Sequence, residues 1–169
     1  FSGMKINTKG HKLKWLFCGG AKLDENIRKK FEKKYKIRVA TNYGLTETSS
    51  IATSEGTNLN ERKKGSVGRA LYNNKLKILK KNKNDIDGEI YIKGKNLFPY
   101  YLNQKTFSKT KFENQWFKSG DLGYLDKDKF LFITDRIDNM IIVSGENIYP
   151  SEIEKYLHKI KGIKLGIVS

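Results

Sequence analysis

The stretch from Thr134 to Glu154, T-D-R-I-D-N-M-I-I-V-S-G-E-N-I-Y-P-S-E-I-E, constrains this chain more than any other. Asp135, Arg136 and Asp138 make a short charged cluster. Met140 to Val143 is a brief apolar run, which predicts a strand. Ser144-Gly145-Glu146-Asn147 follows as a loop. Pro150-Ser151-Glu152-Ile153-Glu154 then opens a helix, with a Ser151/Glu154 capping box. Taken singly these are a charged turn, a buried strand, a glycine turn and an ordinary helix start. Their order and spacing carry the information.

A chain of 169 residues can bury one real core. It opens on Phe1-Ser2-Gly3-Met4 without an initiator methionine and stops at Ile167-Val168-Ser169, within what reads as an apolar strand, so a piece of a longer protein is expected. No signal peptide or long apolar run is present, and neither export nor a transmembrane span is expected. The single cysteine, Cys18, excludes an internal disulfide framework and fits a reducing, cytoplasmic location. A net charge of +16 invites a nucleic-acid partner. The cations, however, are 29 Lys and only 5 Arg, whereas bidentate reading of phosphates and base edges favours Arg. The lysines are scattered among asparagines, as in Lys80-Lys81-Asn82-Lys83-Asn84, and read as solvated faces. No nucleic-acid partner is expected; peripheral contact with anionic ligands or lipid headgroups stays open.

In chain order, Lys12 to Cys18 alternates and then turns apolar, as a strand entering a core does. Gly19-Gly20-Ala21 follows as a tight turn that admits close backbone approach. Asp24 is placed to cap a helix reaching about Tyr35, with Ile27, Phe31 and Tyr35 on its apolar face and lysines on the other. Ile37 to Thr41 is the next strand, which completes a βα unit of an α/β subdomain. Asn42-Tyr43-Gly44-Leu45-Thr46-Glu47 closes that strand, and Asn58 to Gly65 reads as a polar, mobile loop. Leu76 to Leu79, Glu89 to Lys93 and Tyr124 to Thr134 are then short strands separated by turns such as Asp85-Ile86-Asp87-Gly88, a small antiparallel region. The last elements expected are a helix from Pro150 to about Lys159, striped by Ile153, Leu157 and Ile160, and a strand from Ile163.

Five motifs along this path, Gly19-Gly20-Ala21, Tyr43-Gly44-Leu45-Thr46-Glu47, Gly88-Glu89-Ile90 with Gly94 and Tyr100-Tyr101, Ser119-Gly120-Asp121, and Asp135-Arg136 with Gly145 and Glu152-Ile153-Glu154, resemble the signatures of the adenylate-forming (AMP-binding) superfamily. The wording G-E-N-I-Y-P-S-E-I-E looks most like its acyl-CoA synthetase branch. The resemblance implies an α/β fragment: the end of an α/β subdomain, a small antiparallel β subdomain, then the start of a small α+β C-terminal domain. Residues 1–137 would be the C-terminal portion of the large AMP-binding domain, and residues 138–169 the start of the small mobile one.

The implied chemistry joins a small-molecule carboxylic acid to ATP as an acyl-adenylate, then passes the acyl group to a thiol, CoA or the phosphopantetheine of an acyl carrier protein. A place in fatty acid metabolism goes with that branch. Such a site must meet charge developing on phosphate oxygens with donors and a cation. By resemblance, Thr46 donates to the α-phosphate and Glu47 is a hard oxygen ligand for Mg²⁺. Asp121 accepts from both ribose hydroxyls, and Arg136 offers a rigid fork to ribose or phosphate oxygens. Tyr43 and Gly44, with Gly19, Gly20 and Ala21, frame the adenine. Asp138 is the implied pivot of the C-terminal domain, and Ser144, Gly145 and Glu146 the implied thiol side. Read alone, Tyr43 is equally a core aromatic, Glu47 and Asp121 caps, and Arg136 a surface ion-pair partner.

Departures from the pattern are mild: Lys22 for a frequent Pro, Ser119 for Thr, and Asp135 for a frequent Gly. The family's Ser/Thr/Gly-rich phosphate loop and its late catalytic lysine are not in this sequence, so the chain alone is expected to be inactive. A non-catalytic basic binding module is the reading of another class.

Overall fold

The computed structural model describes residues 10, 12–56, 58, 62–71, 73–102, 109–143, 146–157, 159–160, 162–163 and 168, with backbone alone at several positions between 142 and 155. Strand β1 (Trp15–Cys18) leads to helix α1 (Glu25–Tyr35) and strand β2 (Arg38–Tyr43). Asp24 caps α1 as its sequence position predicts, its Oδ1 accepting from the amides of Asn26 and Ile27 at 2.8 and 2.9 Å. β2 lies parallel to β1, with Phe17 opposite Ala40. This is the expected βα unit. Two short strands, β3 (Thr53–Ser54) and β4 (Arg69–Ala70), extend the sheet antiparallel in the order β1-β2-β3-β4.

Of the predicted apolar face, Tyr35 is buried and Phe31 half-buried, but the first turn of the helix docks through Arg28 instead of Ile27. Ile27 is 63% exposed, whereas Arg28 is only 3% exposed. Arg28 grips Glu55 in a bidentate pair, with Nη2 to Oε2 at 2.5 Å and Nη1 to Oε1 at 3.3 Å. Glu55 Oε2 also accepts from the Thr41 amide of β2 at 2.8 Å. Glu32, one turn on from Arg28, accepts from the Val39 amide at 2.8 Å. Residues 25, 28, 32 and 35 therefore face the sheet, a charged ladder followed by the buried Tyr35.

The second sheet is antiparallel: β5 (Asn74–Leu79), β6 (Gly88–Gly94), β8 (Trp116–Leu125) and the short β7 (Phe112–Glu113) in the order β5-β6-β8-β7, with β9 (Leu131–Arg136) also on β8. β8 begins well before the predicted Tyr124, so Ser119-Gly120-Asp121 sits inside a strand. The propensity signal there is weak because small and acidic residues occupy the middle of it. Ile90, Ile92 and Leu131 of this sheet are fully buried with Ala52, from the loop after β2, and Tyr43 and Val67 pack on them. Both sheets thus share one core. Each such Ile or Leu contributes about 1.5–3 kcal/mol by leaving water.

Beyond β9, a 3-10 turn over Ile137–Asn139 leads to the hairpin β10 (Ile141–Val143) and β11 (Glu146–Ile148). Glu146 and Asn147, expected in a loop, are strand residues in that hairpin. Helix α2 (Pro150–Leu157) starts on Pro150, a favoured first helical residue, so Ser151 lies inside the helix rather than at its cap. Of its predicted stripe, Ile153 is 38% exposed and Leu157 half-buried, while Ile160 lies beyond the end of the helix. The strand expected from Ile163 falls largely outside the described residues. Of the loop expected to be mobile, the described end is anchored: Arg62 pairs with Glu32 at 3.0 Å, and Lys63 pairs with Asp126 and, at 2.6 Å, with Asp128.

Arg28→Met leaves the Glu55 carboxylate buried and unpaired, at an expected cost of about 3–5 kcal/mol, while Arg28→Met with Glu55→Leu should recover most of that loss. Urea unfolding of the wild type, both single mutants and the double mutant measures both. An additive double mutant would show that the pair is not the joint between α1 and the sheet.

Candidate active site

The C-terminal end of β2 runs directly into the densest part of the site. Gly44 is fixed there by close packing, since a Cβ on it would lie 2.1 Å from the Ser50 carbonyl oxygen. That approach folds Leu45 to Ser50 into a compact turn, with Thr46–Thr48 in a 3-10 helix. Two asparagines, Asn74 of β5 and Asn96 of the turn after β6, hold this region from outside. Asn96 Nδ2 donates to the Thr48 and Ile51 carbonyls at 2.7 and 3.1 Å, and Asn74 Nδ2 donates to the Ala52 carbonyl at 3.1 Å. The preceding glycine turn is equally close to β2: a Cβ on Gly19 would lie 2.0 Å from Asn42 Oδ1, and Gly20 has φ +84°. Gly19, Gly20 and Ala21 are all exposed.

Tyr43, Asp121 and Arg136 come together from three strands. Tyr43 Oη donates to Asp121 Oδ2 at 2.6 Å, and Arg136 Nη1 stands 3.5 Å from Asp121 Oδ1. Asp121 and Arg136 are directly paired between β8 and β9, so register alone brings them side by side. Asp121 is 5% exposed, and its amide donates to Ser119 Oγ at 3.0 Å. Burial pushes its carboxyl above the ordinary 3.8, against the pull of the Tyr43 hydrogen bond and the Arg136 charge. Burial, and then the adjacent Asp121 charge, raises the Tyr43 phenol far above its own ordinary range. The phenol therefore stays a donor.

Thr46 is exposed and Glu47 half-buried. Tyr101 Oη donates to Glu47 Oε1 at 2.5 Å, and the Phe98 amide donates to the Glu47 carbonyl at 3.1 Å. In the sequence Tyr101 is marked only as part of the Tyr100-Tyr101 signature, and nothing local marks Asn74 or Asn96. Asp138 lies in the 3-10 turn with its side chain 75% exposed, 3.7 Å from Arg136 Nη2. Ser144 and Gly145 lie outside the described residues, as does the Glu146 side chain.

Among the described residues no group of three His, Cys, Asp or Glu side chains could hold a metal. Mg²⁺ is commonly held by one or two carboxylates together with phosphates and water, so a single carboxylate could serve. Glu47 is the carboxylate so placed, on the turn that follows a strand's C-terminal end, where α/β sheets collect ligands.

A sequence profile of the AMP-binding enzymes matches residues 3–102. The chain belongs to the AMP-binding enzyme family. This AMP-binding chain is 39% identical over 151 residues to the 2-succinylbenzoate–CoA ligase of Oceanobacillus iheyensis, covering 88% of the chain and 31% of that relative. It is 36% identical over 159 residues to the ligase of the same name from Enterococcus faecalis, covering 92% of the chain and 32% of the relative. Its fold matches the Bacillus subtilis O-succinylbenzoate coenzyme A synthetase in complex with AMP, with a TM-score of 0.79, 32% identity, and coverage of 92% of the chain and 33% of the solved one. The complex of that synthetase with ATP and magnesium gives a TM-score of 0.74 at 33% identity, over 86% of the chain and 31% of the solved one. The chain thus spans about three-tenths of the length of these relatives. The likeness places it in the acyl-CoA ligase branch of the adenylate-forming superfamily.

A carboxyl raised in the folded state supports the fold most at acid pH, and that support is lost as pH rises from 3.8 through the raised folded value. Tyr43→Phe removes a donor to the ionised form and raises Asp121 further. Its destabilisation should therefore be larger at pH 7, about 1–3 kcal/mol, than at pH 4. Denaturant titrations at the two pH values test this, and an equal loss at both would detach Tyr43 from the ionisation of Asp121.

Proposed function

We propose that the polypeptide carrying this chain is an ATP-dependent acid–thiol ligase, which activates a carboxylic acid as its acyl-adenylate and transfers the acyl group to CoA. The observation that carries this reading is the Tyr43–Asp121–Arg136 constellation, a buried carboxylate with an exposed guanidinium beside it. Asp121 keeps acceptor capacity for ribose hydroxyls after taking the Tyr43 proton donor. Arg136 lies beside it, placed for ribose or phosphate oxygens. The exposed Thr46 hydroxyl supplies a donor for the α-phosphate, and the Gly19-Gly20-Ala21 turn and Tyr43 border the base. Glu47 would hold Mg²⁺, which when bound would supply positive charge against the phosphates.

The relatives are named as CoA ligases, which favours CoA over a carrier-bound phosphopantetheine. They are also named for 2-succinylbenzoate, and a Mycobacterium tuberculosis fatty acyl CoA synthetase matches with a TM-score of 0.68 at 33% identity. The acid panel for the full-length protein should therefore contain both an aromatic keto-dicarboxylate and fatty acids, scored by ATP–pyrophosphate exchange. 2-Succinylbenzoate is expected to support exchange best. Exchange with no acid in the panel would reject the ligase reading and favour the basic binding module. With the preferred acid, Glu47→Ala should depress exchange about ten- to a thousand-fold, the range for losing one electrostatic stabiliser. Wild-type exchange at limiting Mg²⁺ would reject Glu47 as the cation ligand.

The domain division belongs to the same proposal: residues 1–137 close the large domain, and the small domain that begins at 138 turns about Asp138. The exposed Asp138 side chain and the single-turn 3-10 segment give a pivot few contacts to break. A 3-10 turn already has φ near that of proline, so Asp138→Pro should preserve the conformation seen here and penalise any other. Adenylate formation is expected to persist while thioester formation falls steeply. Parallel loss of both half-reactions, or of neither, argues against a pivot at this position. A cytoplasmic location completes the proposal. Among the described residues no helix is long and apolar enough to cross a membrane.

A further inference from the structure

Glu47 is held by one short segment of the connection between β6 and β7 at both its backbone and its side chain. The Phe98 amide donates to its carbonyl, and Tyr101 Oη donates to its carboxylate oxygen Oε1 from 54 residues away in sequence. The phenol is itself fixed. Its ring meets Phe98 edge-on at 4.6 Å and 77°, and Phe98 meets Phe112 at 6.2 Å and 85°. Among the described residues no hydrogen bond is made by Glu47 Oε2, the other carboxylate oxygen.

A glutamate's terminal torsion is broad, so an untethered carboxylate spreads over many orientations and can present one oxygen or two. A donor on Oε1 restricts that choice. We propose that Tyr101 is a positioning residue for the divalent cation, holding Glu47 through Oε1 so that Oε2 is the single ligating oxygen. The proposal rests on the reading of Glu47 as the cation ligand. Its physical basis is general: partners that hydrogen-bond a metal-ligating side chain fix its geometry, and removing one costs about 10–100-fold in metal affinity.

Tyr101→Phe is the discriminating substitution, because it keeps the ring against Phe98 and deletes only the hydroxyl. Mn²⁺ serves as the probe, its binding to the full-length protein measured by electron paramagnetic resonance with a non-hydrolysable ATP analogue present. Wild type, Tyr101→Phe and Glu47→Gln are compared, alongside metal-free AMP binding and thermal melting. The expected result is a 10–100-fold weaker Mn²⁺ affinity in Tyr101→Phe, with AMP affinity and melting unchanged. Loss of AMP affinity or melting temperature in parallel would make Tyr101 a structural clamp and overturn the proposal. So would unchanged Mn²⁺ affinity in Tyr101→Phe when Glu47→Gln weakens it. If Glu47→Gln itself leaves Mn²⁺ affinity unmoved, the cation reading of Glu47 fails first, and the positioning role fails with it.

Discussion

The carboxylate of Asp121 joins the two sheets of this structure. It stands on β8, its partner Arg136 on β9, and the Tyr43 hydroxyl that donates to it on β2 of the other sheet. A buried carboxylate is costly unless it is hydrogen-bonded and faces a cation, so the two sheets are held in the one arrangement that supplies both. The same requirement leaves a polar centre at the end of β2. A fold that only packed apolar surface would have no reason to bury an aspartate at this junction.

Around that centre the structure rigidifies the turn that carries Thr46 and Glu47. Gly44 permits the backbone to touch Ser50, Asn96 and Asn74 hold the following carbonyls, and the Phe98–Tyr101 segment holds Glu47. The turn after β2 thus carries Thr46 and Glu47, and residues of β5 and of the connection after β6 fix its position. Groups held in advance need no reorganisation when charge develops on a bound phosphate, which is where electrostatic stabilisation is most effective. The Arg28–Glu55 pair extends this logic away from the site, because Glu55 also binds the Thr41 amide two residues before Tyr43.

Much of the fold follows from short-range signals. Asp24, the α1 boundaries, the parallel β1–β2 unit and the change to antiparallel strands all rest on caps, turns and periodicities that act within about four residues. The misplaced elements are those where the local signal conflicts with tertiary demand. Ile27 follows the helical spacing yet is exposed, because the buried Arg28 has a carboxylate waiting across the sheet. Ser119-Gly120-Asp121 is a poor strand by propensity yet lies within β8, because two neighbouring strands complete its hydrogen bonds. Pro150 opens α2 as expected, and only the Ser151 cap is displaced, since Ser151 lies one residue inside the helix.

By itself the sequence determined the order of the motifs, the class of fold and the membership of the AMP-binding family, since each is written in residue types at fixed local spacing. It also determined that Tyr43, Asp121 and Arg136 belong to one site, though only through resemblance. Tertiary structure alone decided that Tyr43 and Asp121, 78 residues apart, are hydrogen-bonded, that Arg28 rather than Ile27 seats α1, and that Glu47 has Tyr101 as its donor. Those pairings depend on strand register and on which face of a helix turns inward. A shift of one residue in either would separate the partners without altering any local signal.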